Sequence, residues 1–291
     1  MPRPLAALLL LACAATHARA QALLFDFGTT PATGQVTVNA TAAPSLGGPA
    51  GLTGNLVYNV FSGTDSNQNV TAPTSYQYAD GSAAPALSFT FRSGTSWSSL
   101  STATPFTRVG VSGGRSGVGV FATPGAPNNT NLFTDFISAS NSNSTTDYLS
   151  LEIGGLAPGD YDIFVVSNQT YNQTAGDNSR TVRAGVGSAG LSDLSSLGTV
   201  NTLSYNYTNI VADTATWADA EGKYWTSFRL TIGSTATTNT LYLGGFRSGD
   251  QQGGVFNAIQ IVAVPEPATF SALAGLGALG IASLRRRRRT A

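Results

Sequence analysis

The chain has 291 residues, of which 42% are hydrophobic and only 10% charged, and its 15 basic side chains balance its 15 acidic ones. That balance hides an acidic middle: seven basic residues and one acidic residue fall in the first 20 and last 28 positions, so residues 21–263 keep eight basic against 14 acidic groups, near −6. An acidic exterior argues against nucleic-acid binding, which needs a basic face to displace counterions. The one cysteine, Cys13, and the one histidine, His17, also lie within the first 20 residues. The rest of the chain therefore forms no disulfide and has no zinc site built on His or Cys, no Ser-His-Asp or Cys-His nucleophile, and no haem or iron–sulfur ligation through those residues. Lys223 is the only lysine, so a Ser-Lys dyad has one possible base.

The first element is MPRPLAALLLLACAATHARA. Arg3 precedes an apolar run from Leu5 to Ala15, and Ala18-Arg19-Ala20 is a small-residue cleavage site. This is the layout of a secretory signal peptide over 1–20, with the mature chain starting at Gln21. Leu10-Leu11-Ala12-Cys13 also resembles a lipobox, which would make Cys13 a lipidated first residue instead.

From Gln21 onward the apolar residues recur with period two, the mark of half-buried strands. Candidate strands are Leu23–Phe27, Gln35–Asn39, Leu56–Phe61, Leu87–Arg92, Val118–Phe121, Leu132–Ser138, Thr181–Val186, Thr226–Ile232, Thr240–Gly244 and Val255–Val262. Within ALSFTFR, Leu87, Phe89 and Phe91 share one face; within TSFRLTI, Phe228, Leu230 and Ile232 do the same. Tyr148 to Asn168 reads as a hairpin around Leu156-Ala157-Pro158-Gly159-Asp160, where Pro158 presets φ and Gly159 supplies a positive φ. No stretch keeps a helical apolar period over three turns. The expectation for 21–263 is one all-β extracytoplasmic domain, a two-sheet antiparallel sandwich with long polar loops (Thr41–Gly54, Thr64–Ser75, Pro124–Asn131, Gly187–Ser196). Its GL-x-PG-x-Y turn and closing strand FNAIQIV resemble jelly-roll sandwiches of the galactose-binding-like type.

Candidate sites are few. Asp65, Asn67 and Asn69 stand at positions 1, 3 and 5 of a calcium-loop pattern, but Val70 and Tyr76 occupy the sixth and twelfth positions. An Asn-rich turn is the better reading, and structural calcium is the one cofactor that the pattern leaves open. Trp97 in GTSWSS and Trp217 in TATWADAEG lie in polar, loop-like contexts where a tryptophan needs something to contact. They are the candidate platforms for stacking on a sugar; Trp225, at the start of a strand, reads as core. Asp160 with Asp162, and Asp219 with Glu221, alternate as a carboxylate pair would, yet neither has an apolar pocket to split its pKa values. A carboxylate-dependent glycoside hydrolase is thus a minor alternative to a non-catalytic role.

The last 28 residues carry the clearest signal. Val264-Pro265-Glu266-Pro267 is followed by 17 residues without an ionisable side chain, Ala268–Leu284, and then by Arg285, Arg286, Arg287, Arg288 and Arg289. As a helix the apolar stretch would be roughly 25 Å long, near the short limit for a bilayer core of about 30 Å. The arginines act as a stop and keep their end cytoplasmic, so everything before them lies across the membrane. The two prolines keep the tripeptide extended.

Tripeptide, transmembrane helix and arginine cluster together resemble the PEP-CTERM sorting signal of Gram-negative bacteria. The resemblance covers only 264–291. It implies that Pro265, Glu266 and Pro267 are the recognition element for an exosortase, that the helix is a temporary anchor, and that the body is released or passed to the cell surface. It also implies an association with exopolysaccharide and biofilm matrix. Two functions stay open for the body: an exopolysaccharide-binding module, or a structural, adhesive matrix protein without a specific ligand. Glu266→Ala should leave a precursor whose mass keeps the tail, in its own host, while the mature wild-type chain loses it. The same mass spectra should show an N-terminus at Gln21; a diacylglyceryl Cys13 would overturn the signal-peptide assignment.

Overall fold

A computed structural model describes residues 21–28, 34–62, 70–102, 106–108, 119–121, 132–133, 136–138, 148–168, 177–206, 213–248 and 254–265. The 1–20 leader, including Ala18 and Ala20, lies outside them, as do Asp65, Asn67 and Asn69, Glu266 and Pro267, and the expected membrane helix with Arg285–Arg289. Among the described residues no helix is long and apolar enough to cross a membrane.

The described chain is all-β. In order the strands are β1 (Ala22–Gly28), β2 (Gly34–Asn39), β3 (Asn55–Ser62), β4 (Ser88–Ser96), β5 (Ser99–Thr102), β6 (Phe106–Arg108), β7 (Phe136–Ser138) and β8 (Tyr148–Gly154). They continue with β9 (Gly159–Val166), β10 (Asp177–Gly187), β11 (Thr199–Asn206), β12 (Trp225–Ile232), β13 (Thr240–Ser248), β14 (Val255–Phe256) and β15 (Ala258–Ala263). Two six-stranded sheets face each other, one ordered β12-β9-β15-β1-β3-β2 and the other β11-β10-β13-β8-β4-β5. All pairs in them are antiparallel except β1 with β3. A small third sheet runs β14-β7-β6.

The alternation explains the layer between the sheets. Leu23, Phe25 and Phe27 of β1, Ile163 and Val165 of β9, and Ile259 and Ile261 of β15 project from the first sheet. Leu149, Leu151 and Ile153 of β8 with Leu241 and Leu243 of β13 meet them from the second. At one end Phe25, Phe61, Phe89 and Tyr76 form an aromatic cluster, with Phe61 and Phe89 4.8 Å apart at 63°. Along one side Asn201 on β11 donates to Thr226 Oγ1 at 2.7 Å and so ties the edge of one sheet to β12 of the other.

Both sheets are covered on their outer faces as well. The 40–54 segment docks on the first sheet, where Gln260 Nε2 donates to the Gly47 carbonyl and to Tyr58 Oη, both at 3.1 Å, and Gln260 Oε1 accepts from the Ala50 N–H at 2.8 Å. Tyr58 Oη donates in turn to the Leu46 carbonyl at 2.7 Å. Gly48, at φ 65°, lies so close that a Cβ would meet the Gln260 amide at 2.2 Å. The site needs glycine on both counts.

Several expectations need correcting. Tyr148–Asn168 is not a hairpin: β8 pairs with β13 and β4, and β9 with β12 and β15, so the 155–158 turn crosses from one sheet to the other. Both strands bury their apolar face, but from opposite sides of one layer. Val118–Phe121 was expected as a strand, yet 119–121 form a 3-10 turn, and among the described residues of Leu132–Ser138 the strand is Phe136–Ser138, with Leu132 and Phe133 in a turn. Val255–Val262 is broken at Asn257, whose Oδ1 accepts from the Asn168 N–H.

Burial, with a smaller push from Asp26 and against the hydrogen bond from Gln260, raises the Tyr58 pKa well above the usual tyrosine range. A raised folded pKa means stability that is intact below the ordinary value of about 10 and lost as pH climbs past it. The Tm should therefore fall above about pH 10. In Tyr58→Phe that fall should be shallower, on a neutral-pH stability lower by about 1–3 kcal/mol for the unpaired Leu46 carbonyl. Thermal melts across pH check both.

Candidate functional site

The outer face of the second sheet carries an aromatic row that β4, β8 and β13 position together. Register puts Gly244 of β13 beside Ser150 of β8, and alternation directs Tyr148 and Phe246 to the same side. These two rings stack at 4.1 Å and 11°. Trp97, in the turn between β4 and β5, meets Tyr148 edge-on at 4.7 Å and 79°. Its ring lies over Gly244, where a Cβ would come within 2.4 Å of it. All three aromatic residues are partly buried.

Charged groups frame the row. The Arg183 guanidinium lies 5.4 Å from the Trp97 ring centroid, within reach of a cation–π attraction. Its Nη1 donates to the carbonyls of Leu194, Ser195 at 2.8 Å and Leu197 at 3.0 Å, fixing the 188–198 loop beside the tryptophan. Burial lowers the Arg183 pKa, against a raising effect of Asp193. Asp193 itself is held below the usual carboxylate range by the Ser195 side-chain and backbone hydrogen bonds. The Leu194 N–H donates to the Trp97 carbonyl at 2.8 Å. Further along the sheet Arg92 pairs with Glu152 at 3.4 Å, and Glu152 Oε1 accepts from the Gly190 N–H at 3.1 Å. Ser150 Oγ, Arg92 Nε and Arg183 Nε are buried without a hydrogen-bond partner among the described residues. The face thus sets aromatic surface beside charged side chains, Arg92, Glu152 and Arg183, that are themselves held by the protein.

Trp217 is elsewhere. It packs on the outer side of the first sheet against Phe133 at 5.0 Å and Phe121 at 5.6 Å. Its indole N–H donates to the Ser45 carbonyl at 2.9 Å, and its own carbonyl accepts from the Trp225 indole at 2.6 Å. The structure therefore separates the two candidate tryptophans onto opposite faces of the sandwich. Trp225 is buried, as its strand position suggests.

The carboxylates are engaged. Asp162 takes a bidentate ion pair from Arg229, both contacts 2.7 Å, and Asp160 accepts from Thr231 Oγ1. Asp219 Oδ2 accepts from the Thr216 N–H and hydroxyl, closing its own turn, while Glu221 is exposed. Lys223 pairs with Asp213 at 2.8 Å. No group of three or more acidic side chains able to hold a metal ion occurs among the described residues. A shallow depression of about 250 Å³ opens near Gln21, lined in part by Asn55, Tyr78 and Asp80.

The sequence singles out Trp97 as a candidate but not Tyr148, Phe246 and Arg183, which the fold brings beside it. Tyr148 and Phe246 are each an unremarkable aromatic at a strand end, and only the β8–β13 register joins them.

Comparison with known proteins agrees with the tail and says less of the body. Residues 263–288 match the PEP-CTERM protein-sorting motif. No curated protein matches the chain. Two solved structures are weakly similar in fold. One is an Arthrobacter globiformis T6 isomalto-dextranase complexed with panose, at 13% identity and a TM-score of 0.29. The match covers 82% of this chain but only 34% of the enzyme. The other belongs to a study of promiscuous specificity in carbohydrate-binding modules of the beta-sandwich super family, at 14% identity and a TM-score of 0.26, covering 72% of this chain and 65% of that one. The sorting motif marks an exported protein, anchored in the membrane and then processed by an exosortase.

Proposed function

We propose that the body is a non-catalytic module that holds exopolysaccharide at the cell surface or in the extracellular matrix. The observation that carries this reading is the partly buried row of Trp97, Tyr148 and Phe246 on the outer face of the second sheet, flanked by Arg92, Glu152 and Arg183. Sugars are recognised by aromatic rings against their C–H faces and by a few directed polar groups, and both kinds of group meet on this face. A non-catalytic role is favoured because Asp160, Asp162 and Asp219 are each tied to a neighbour. A glycosidase instead sets its acid and nucleophile or base apart by environment across a cleft.

A purely structural or adhesive role is the second reading, and the packing of Trp97 favours it. Its ring already has Gly244 beneath it and Tyr148 at its edge, which is how a tryptophan that only seals a sheet would sit.

Binding of the mature protein, residues 21–265, to the host's own exopolysaccharide separates the two. Tyr148→Ala and Phe246→Ala should each weaken saturable binding about tenfold, the equivalent of about 1.4 kcal/mol of lost stacking. Trp217→Ala should lower stability and leave affinity unchanged. Absence of saturable binding by the wild-type protein would assign the structural role.

A further inference from the structure

Almost nothing separates the folded body from its sorting motif. β15 ends at Ala263, and the matched motif begins at residue 263. This strand is not at an edge but lies between β9 and β1. The Ala263 N–H donates to the Gln21 carbonyl and the Val264 N–H to the Asp160 carbonyl, both at 2.8 Å. Pro265 is half-buried. Order in the body thus reaches the residue before Glu266.

A protease takes its substrate as an extended strand, pairing with the backbone on either side of the bond it cuts. If that bond is near Pro265–Pro267, the preceding residues are Ile261, Val262, Ala263 and Val264. Their register partners are Leu23 and Ala22 on one side and Ile163, Asp162 and Tyr161 on the other. Ile261 is also 1% exposed, with its side chain in the inter-sheet layer. The same backbone groups cannot serve the sheet and an enzyme's cleft at once.

We propose that folding of the body and cleavage at the sorting motif compete for residues 261–264. The exosortase then acts on a chain whose last strand has not docked, or on one where β15 has locally opened. Undocking a central strand lies at the costly end of local opening, so a fully folded body resists processing. The proposal rests on the sorting motif and is independent of the carbohydrate reading.

The test follows conversion of the full-length precursor by pulse-chase in its own host. A Gly-Ser linker of about ten residues, reaching roughly 17 Å, is inserted between Val264 and Pro265. Conversion should become several-fold faster. Leu243→Ala, which weakens the core from the opposite sheet, should speed conversion of the chain without a linker and add nothing to the chain that has one. Unchanged or slower conversion with the linker, while Glu266→Ala still blocks cleavage, would overturn the competition. Normal conversion of Glu266→Ala would instead remove the sorting assignment, and the proposal with it.

Discussion

Burial between two sheets has to hold this body together, because it contains no cysteine to cross-link it. Each fully buried Phe, Leu or Ile contributes about 1.5–3 kcal/mol relative to exposure, set against the entropy of fixing the chain. The layer is assembled from both ends of the sequence. β1, the first strand, pairs with β15, the last, over five register positions from Ala22↔Val262 to Asp26↔Ala258. The centre of the first sheet therefore depends on a contact that exists only after the whole body has been made. β-sandwiches built on such long-range pairs fold slowly, because loop closure must precede the contacts that reward it.

The outer faces follow from the same shortage of staples. Loops that would otherwise be free are fastened to the sheets by side chains reaching backbone carbonyls and N–H groups. Gln260 and Tyr58 hold the 40–54 segment. Arg183, Glu152 and Tyr242 hold the 188–198 segment, where Tyr242 Oη donates to the Ser188 carbonyl at 2.6 Å and accepts from the Leu191 N–H at 2.9 Å. A loop lying on a sheet must have its backbone polar groups answered, and these long polar side chains answer them. Trp217 belongs to this system: its N–H closes a 172-residue separation to Ser45.

What the sequence made legible was decided by how local the cause was. β4 and β12 were readable because one face of each meets the inter-sheet layer, which leaves a period of two. β11 was not, since of Thr199–Ser204 only Leu203 is buried at that sheet edge. The 155–158 turn was recognised from Pro158 and Gly159, but such turn chemistry serves a hairpin and a crossing between sheets equally well. Only pairing partners far along the chain distinguish the two. The candidate surface failed in the same way: Trp97 stands out alone, whereas Tyr148 and Phe246 acquire meaning from register. The tail is the opposite case, a linear motif whose information needs no fold.

Tail and aromatic row also have a geometric relation. Ala263 and Gln21 border the turn at Leu156 and Ala157, where β8 has ended. Tyr148 begins that seven-residue strand at its other end, and Phe246 stacks on it there. At about 3.3 Å per residue, roughly 20 Å of strand separate the aromatic pair from the chain ends. Trp97 belongs to the same end, because β4 runs from Ser88 opposite Gly154 to Gly94 opposite Tyr148 before reaching its turn, and the ring folds back over Gly244 against Tyr148. A body held by its tail would thus keep the row at the end remote from the membrane. Release by an exosortase would change where the row can travel without changing what it displays. If the row holds matrix polymer, as proposed, that arrangement serves it both before and after cleavage.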